Sequence, residues 1–283
     1  MTLAFTKGHG TENDFVLLFD PHGELELTPA LVRFLCDRRA GIGGDGVIRA
    51  VRAGALEAGV AFEPATWFMD YWNADGTTSE MCGNGARVFG AFLEAEAGAD
   101  LAGGLEFGTR GGPRTVTALG DGRYAVGMGI YQVGDATDGF DSEVAARGLD
   151  PVRPALSVDM GNPHHVVALA DAAELEALDL TVAPEVRPVP PHGTNVEFAV
   201  ALRYERDRGR VRMRVHERGS GETRSCGTGA CAVALAMREW AGAGAPDVWD
   251  IEVPGGLVTV RIAGDTTVLE GPAVLVAAGS VRV

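Results

Sequence analysis

Lysine is nearly missing from this 283-residue chain: of its 24 cationic residues only Lys7 is a lysine. That scarcity excludes a common chemistry. Pyridoxal phosphate is carried as a Schiff base on lysine beside a phosphate-binding loop, and Lys7 stands in a strand–loop segment, "FTKGHGTENDF", with no such cradle near it. No organic cofactor is expected. Cysteine is also scarce. Cys36, Cys82, Cys226 and Cys231 are too few and too scattered for a disulfide framework in a chain of this length, and no C-x2-C pair suggests structural zinc, so free thiols and no metal are expected. Cationic charge is outnumbered, 24 against 39 acidic residues, for a net charge of −15. Nucleic acid and anionic membrane surfaces, which need clustered positive charge, are thereby excluded as partners. No window approaches 18 uninterrupted apolar residues, and "MTLAFTKGHG" lacks a charged segment followed by an apolar one, so a cytoplasmic location is expected.

What is present is ordinary for a folded protein: 46% hydrophobic and 22% charged residues. At roughly 150 residues per domain the length predicts two domains. "LTPALVRFLCDRR" has Thr28 as N-cap, Pro29 at the first helical position and apolar residues at helical spacing, which places Cys36 in a core. "GIGGDG" at 41–46 matches the dinucleotide fingerprint G-x-G-x-x-G. That motif needs a strand before it and a helix after it; here the order is reversed, and the segment reads as a turn. Residues 81–97 and the tail of "RGSGETRSCGTGACAVALAMREW" read as helices. The segments at 105–131 read as an antiparallel meander, and "DGFDSEVAARGLDPVRP" as a link between halves.

The halves repeat. Laying "YWNADGTTSEMCGNGARVFGAFL" over "VHERGSGETRSCGTGACAVALAM" puts Cys82 on Cys226, an offset of 144, and laying "GTENDFVLL" over "DMGNPHHVV" puts Asn13 on Asn162, an offset of 149. A unit used twice is the economical explanation. Each Cys-Gly-x-Gly element sets a thiol at a helix N-terminus, where unpaired N–H groups favour both a thiolate and a bound carboxylate. Two such elements facing one carbon would let one sulfur remove a proton while the other delivers one to the opposite face. Cysteine, with an unperturbed pKa of about 8.5, suits such acid–base work near neutrality.

The motifs "NDF", "NADG", "CGNGAR", "MGNPH", "ERGSGETRSCGTGA" and "PGG" together make the sequence resemble the diaminopimelate epimerase family over nearly its whole length. The resemblance implies an α/β (α+β) fold of two pseudo-symmetric domains, each an antiparallel-rich β-sheet curled around a central helix, with the active site in the cleft between them. Residues 1–130 would carry Cys82, with 269–283 as a candidate to return to that half, and 131–268 would carry Cys226. It further implies cofactor-independent interconversion of LL- and meso-2,6-diaminopimelate, in lysine and peptidoglycan precursor biosynthesis. Carried over by motif, Cys82 and Cys226 are the paired acid and base. Backbone N–H groups of Gly83, Asn84, Gly227 and Thr228 hold the reacting carboxylate, and Asn13 sits near the reacting ammonium. Asn73, Asn162, Asn195 and Arg218 recognise the distal head, Glu217 takes its ammonium, and His164 and Glu217 tune the thiols. The partner implied is a small-molecule substrate. A homodimer is open to such a chain, and nothing in the sequence selects it.

At one position the chain departs from the pattern: many relatives carry a glutamine after the "GxGxD" turn, where this chain has Gly46. Other readings stand beside the main one. A proline or hydroxyproline racemase shares the paired thiols but has no use for the Asn73, Asn162, Asn195, Arg218 set. A redox protein would use Cys82 and Cys226 as a disulfide switch, and a binding protein would have lost the chemistry. Arg218 and Glu217 read alone are a surface pair on a strand end, His164 read alone is a loop histidine, and Cys231 is packing.

Overall fold

The computed structural model describes residues 2–136 and 138–283; Met1, where the first half was drawn to begin, and Thr137 lie outside the described residues. The chain divides into two compact units, Met1–Gly127 with Gly271–Val283 and Met128–Glu270. The first unit contains β1 (Thr2–Gly10), β2 (Asn13–Phe19), α1 (Pro29–Cys36), β3 (Gly46–Arg52), β4 (Trp67–Asn73), α2 (Gly83–Ala97), β5 (Leu105–Phe107) and β6 (Arg114–Gly120). Next comes β7 (Arg123–Ile130), which carries the chain to the second unit. There follow β8 (Gln132–Val133), β9 (Ser142–Ala145), β10 (Arg153–Asp159), β11 (Pro163–Ala168), α3 (Ala172–Ala177), β12 (Glu185–Arg187), β13 (Asn195–Tyr204) and β14 (Gly209–Glu217). The chain closes with β15 (Gly221–Thr223), α4 (Gly227–Ala241), β16 (Val248–Val253), β17 (Gly256–Ala263), β18 (Thr266–Pro272) and β19 (Val274–Arg282).

The two units follow one plan. In the first, β1 pairs antiparallel with β2, β2 runs parallel to β3, β3 pairs antiparallel with β4, and β5, β6 and β7 form the meander. A parallel bridge from Phe68 to Gly108 carries β4 on toward the meander. In the second, β10 and β11 are antiparallel, β11 and β13 parallel, β13 and β14 antiparallel, β14 and β16 parallel, and β16, β17 and β18 antiparallel. Parallel neighbours need a crossover; α1 supplies it between β2 and β3, and α3 between β11 and β13. The long helix follows the fourth strand of each plan, α2 after β4 and α4 after β14 and the short β15. The class is mixed α+β with few helices, and the sheets are antiparallel-rich with these parallel exceptions.

A helix that is apolar on every side must be buried on every side. Residues 83–93 of α2 are all buried, and of residues 227–237 in α4 only Thr228 is not. Strands β1, β2, β3, β6 and β19 pack around α2, while β10, β11, β13, β14, β16 and β17 pack around α4. The packing admits little extra volume: a Cβ on Gly90 would lie 2.7 Å from the Val116 side chain. The opposite faces of the sheets are closed by the crossover helices. Val32, Leu35 and Cys36 of α1 cluster with Val16, Leu18 and Val47, and Leu175 of α3 clusters with Val167, Leu178, Val196 and Phe198. Cys36 therefore belongs to a core cluster, and burial pushes its thiol up to about 12.

Three sequence expectations change. The segment at 138–154 is not a link: Ser142–Ala145 is a strand that pairs with β10 and β12, with Val144 fully buried. Its flanking glycines and proline concealed a short alternating run. Thr266–Pro272, unassigned from sequence, is a strand paired with β17. His164 lies on β11, not in a loop, because the turn ends at Asn162 and Pro163 already pairs with Asp159.

Candidate active site

Both candidate thiols occupy the N-cap position of a long helix, where Ser, Thr, Asp or Asn usually stands. Cys82 precedes α2 and Cys226 precedes α4, each with extended backbone, and each sulfur accepts the N–H of the glycine three residues on, Gly85 or Gly229, at 3.4 Å. The chain folds this way because Gly-x-Gly permits a close first turn. A Cβ on Gly85 would meet Ile48 at 3.0 Å, and one on Gly229 would lie 2.6 Å from Glu197 Oε1. The sequence repeat is thus repeated in atomic geometry.

Around Cys82 the structure gathers Asn13, Asn84 and Asp45. The Cys82 Sγ–H faces Asn13 Oδ1 at 3.6 Å, the same oxygen accepts from Asn84 Nδ2 at 3.2 Å, and Asn13 Nδ2 donates to Asp45 Oδ2 at 2.8 Å. Asp45 in turn accepts from Arg38 at 2.8 Å, and Asp14 is held by Arg38 at 2.7 Å and Lys7 at 2.5 Å. Burial pushes the Asp14 carboxyl up, but the hydrogen bonds from Arg38 and Lys7 outweigh it and hold the group well below the usual carboxylate range. This closed set of two cations and two anions pins the loop that presents Asn13. Asn84 Oδ1 also accepts from the fully buried Arg87 at 2.9 Å. Asn73 ends β4, its side chain donating to Thr77 Oγ1 at 3.1 Å.

Gly46 lies opposite Asn73 on the next strand. A Cβ there would lie 2.5 Å from the Trp72 carbonyl oxygen and 2.7 Å from the Tyr71 ring, so this backbone has room for glycine alone.

Around Cys226 the structure gathers Asn162, His164, Glu217, Gly227 and Thr228. Thr228 Oγ1 lies 3.5 Å from Cys226 Sγ, and Asn162 Nδ2 reaches Thr228 Oγ1 at 3.4 Å. His164, fully buried, has Nε2 3.2 Å from Asn162 Oδ1 and Nδ1 2.7 Å from Glu197 Oε1. Glu217 accepts from Thr223 Oγ1, and its charge acts on the Cys226 thiol. Burial pushes the Cys226 thiol well up, Glu217 and Glu197 add to that by their charge, and Thr228 and the Gly229 N–H partly oppose it. Burial likewise raises the Glu217 carboxyl. Nearby, Asn195 Oδ1 accepts the backbone N–H of Arg218 at 2.9 Å while its Nδ2 donates to Pro163 O at 3.0 Å. The Arg218 side chain is exposed and donates to His192 O at 3.1 Å.

Glu197, Thr223 and Asp45 were absent from the sequence reading. Glu197 left a signal: it is the single acid in the apolar strand "NVEFAVAL", at a position that is fully buried.

What this arrangement can do follows from its parts. A thiol at a helix N-terminus beside the backbone N–H groups of the first turn can hold a carboxylate and move a proton at the adjacent carbon, and the chain builds such a corner twice. The fold is that of a class of two-unit proteins which includes a Bacillus anthracis phenazine biosynthesis protein of the PhzF family. That structure has a TM-score of 0.74 at 16% identity, with 100% of each chain covered. An Agrobacterium vitis hydroxyproline epimerase solved with trans-4-hydroxy-L-proline has a TM-score of 0.64 at 15% identity, covering 99% of this chain and 92% of its own. Within that class the assignment is specific. The diaminopimelate epimerase family matches residues 5–136 and 156–276, and the Streptomyces coelicolor diaminopimelate epimerase is 48% identical over 98% of this chain and 94% of its own. The chain belongs to the diaminopimelate epimerase family. Among the described residues no helix is long and apolar enough to cross a membrane.

Proposed function

We propose that the chain interconverts LL-2,6-diaminopimelate and meso-2,6-diaminopimelate without a cofactor, one sulfur taking the α-proton and the other supplying one. The reading is carried by one observation, the pair of cysteine-capped helices in a chain that matches this family nearly end to end. Cys226 enters as the acid, since burial and two carboxylates favour its protonated form, and Cys82 serves as base; the roles exchange in the reverse direction. The N–H groups of Gly83, Asn84, Gly227 and Thr228 hold the reacting carboxylate and spread the charge that develops as the α-carbon loses its proton. Asn13 orients the reacting ammonium. Asn73, Asn162, Asn195 and Arg218 read the distal head, where a guanidinium suits a carboxylate, and Glu217 takes the distal ammonium. His164 and Glu217 set the proton affinity of the thiol beside them. The product leads toward lysine and peptidoglycan precursors.

The test offers purified protein LL-diaminopimelate, L-proline and trans-4-hydroxy-L-proline separately, with chiral chromatography of the products. Meso-diaminopimelate should form, and neither proline should change. Inversion of a proline at a comparable rate, or no conversion of diaminopimelate, would contradict the assignment.

A further inference from the structure

Glu197 is a fully buried carboxylate in the middle of β13, and one of its oxygens, Oε2, is buried without a hydrogen-bond partner. Such a group costs stability, so its position calls for a reason. Its other oxygen lies 2.7 Å from His164 Nδ1. A carboxylate only accepts, so Nδ1 carries a proton. Nε2 lies 3.2 Å from the Asn162 amide oxygen, another acceptor, so both ring nitrogens are placed to donate. With its oxygen so engaged, Asn162 turns its Nδ2 to Thr228 Oγ1 at 3.4 Å. Thr228 Oγ1, which takes the Asn162 N–H, keeps its own hydrogen to offer to the Cys226 sulfur 3.5 Å away.

We propose that Glu197 is a positioning residue: by accepting the Nδ1–H of His164 it fixes the direction of a hydrogen-bond chain, His164 to Asn162 to Thr228, that ends as a donor on the Cys226 sulfur. The chain has its O–H in place when Cys226 gives up its proton, so the thiolate forms without reorganisation. The proposal rests on the reading of Cys226 as the catalytic acid. The titratable groups that face this chain are His164 on β11, Glu217 on β14 and Cys226 at the head of α4.

Glu197→Gln keeps the shape and removes the charge. Nε2 turns acceptor, Asn162 rotates its amide to satisfy it, and the Thr228 hydroxyl is drawn to Asn162 Oδ1 and away from sulfur. The Cys226 thiolate then loses one donor and its ionisation moves to higher pH. A carboxylate acting by charge alone would do the opposite, because its removal eases ionisation of the thiol.

The measurement is the pH dependence of Cys226 alkylation by iodoacetamide, resolved by peptide mass spectrometry, together with kcat and KM. Glu197→Gln and Thr228→Val should each raise the alkylation midpoint by about one unit, a tenfold loss of thiolate at a given pH. Thr228→Ser, which keeps the hydroxyl, should keep the wild-type alkylation midpoint, and the double variant should shift no further than either single one. The single variants should lower kcat more than they raise KM. An unchanged or lowered midpoint in Glu197→Gln, or additive shifts in the double variant, would overturn the proposal. If Glu197→Gln does not fold, the contrast between Thr228→Val and Thr228→Ser decides. Alkylation reads the thiol without turnover, so an active Cys226→Ala enzyme would remove the catalytic reading while leaving the hydrogen-bond chain standing or falling on its own shift.

Discussion

Cys82→Ala and Cys226→Ala should each lower epimerisation at least about a thousandfold, the scale of a lost acid–base group with no substitute on its face of the carbon. The two losses should not multiply in the double variant, because one missing thiol already stops inversion. Both variants should fold. Each cysteine caps its helix through a long N–H···S contact of 3.4 Å, and alanine there costs the order of a weak cap, about 1 kcal/mol. Cys36→Ala and Cys231→Ala are the controls. Cys36 ends α1 within a core cluster and Cys231 is fully buried in α4, so those changes should lower the urea midpoint and leave turnover near wild type. Meso product formed by Cys82→Ala at a wild-type rate would end the two-thiol account.

Asp70→Asn should cost roughly 3–5 kcal/mol, the scale for removing one partner of a buried ion pair. Asp70 is fully buried on β4. Its Oδ2 takes Arg49 Nε at 2.8 Å and NH2 at 2.6 Å, while Oδ1 takes Arg110 NH2 at 2.5 Å and Trp72 Nε1 at 2.9 Å. An amide in its place turns a donor toward a guanidinium and leaves two cations sharing one weak acceptor. The damage should reach the site. Arg110 also donates to Tyr71 O at 3.2 Å, Ser79 N donates to Tyr71 O at 3.2 Å, and Gly111 N donates to Glu80 O at 3.1 Å, so the segment leading to Cys82 hangs on this network. Urea unfolding followed by circular dichroism measures the cost. A midpoint within error of wild type would show that the carboxylate is dispensable and this description of the network wrong.

The parts of the molecule legible from sequence were those written in local chemistry. Thr28 and Pro29 announced α1, and Thr28 Oγ1 does accept the Leu31 N–H at 3.2 Å. The apolar residues at helical spacing after Cys82 and Cys226 announced α2 and α4, and the order of helix before strand ruled out a nucleotide loop at 41–46, which the chain uses to enter β3. The repeat was legible because both copies kept a cysteine, a glycine pair and an asparagine in register. Features that depend on distant partners were not. Ser142–Ala145 is a strand only because β10 and β12 flank it. His164 looked like a loop residue because its strand begins at a proline. Glu197 could be seen as an odd acid in an apolar strand, but its partner, His164, stands 33 residues away and becomes its neighbour only through the parallel pairing of β11 with β13. Why position 46 is glycine became physical only with the Trp72 carbonyl and the Tyr71 ring in view.

Sulfur on both faces of one carbon is the proposed chemistry, and solvent isotope tests it most directly. LL-diaminopimelate is incubated with the wild-type protein in heavy water, and deuterium at the α-carbons of both epimers is followed by mass spectrometry below a tenth of full conversion. Two separate acid–base groups predict one deuterium in nearly every molecule of new meso product and almost none in the remaining LL substrate. Deuterium appearing in recovered substrate as fast as in product would mean that a single group serves both faces, and would contradict the account.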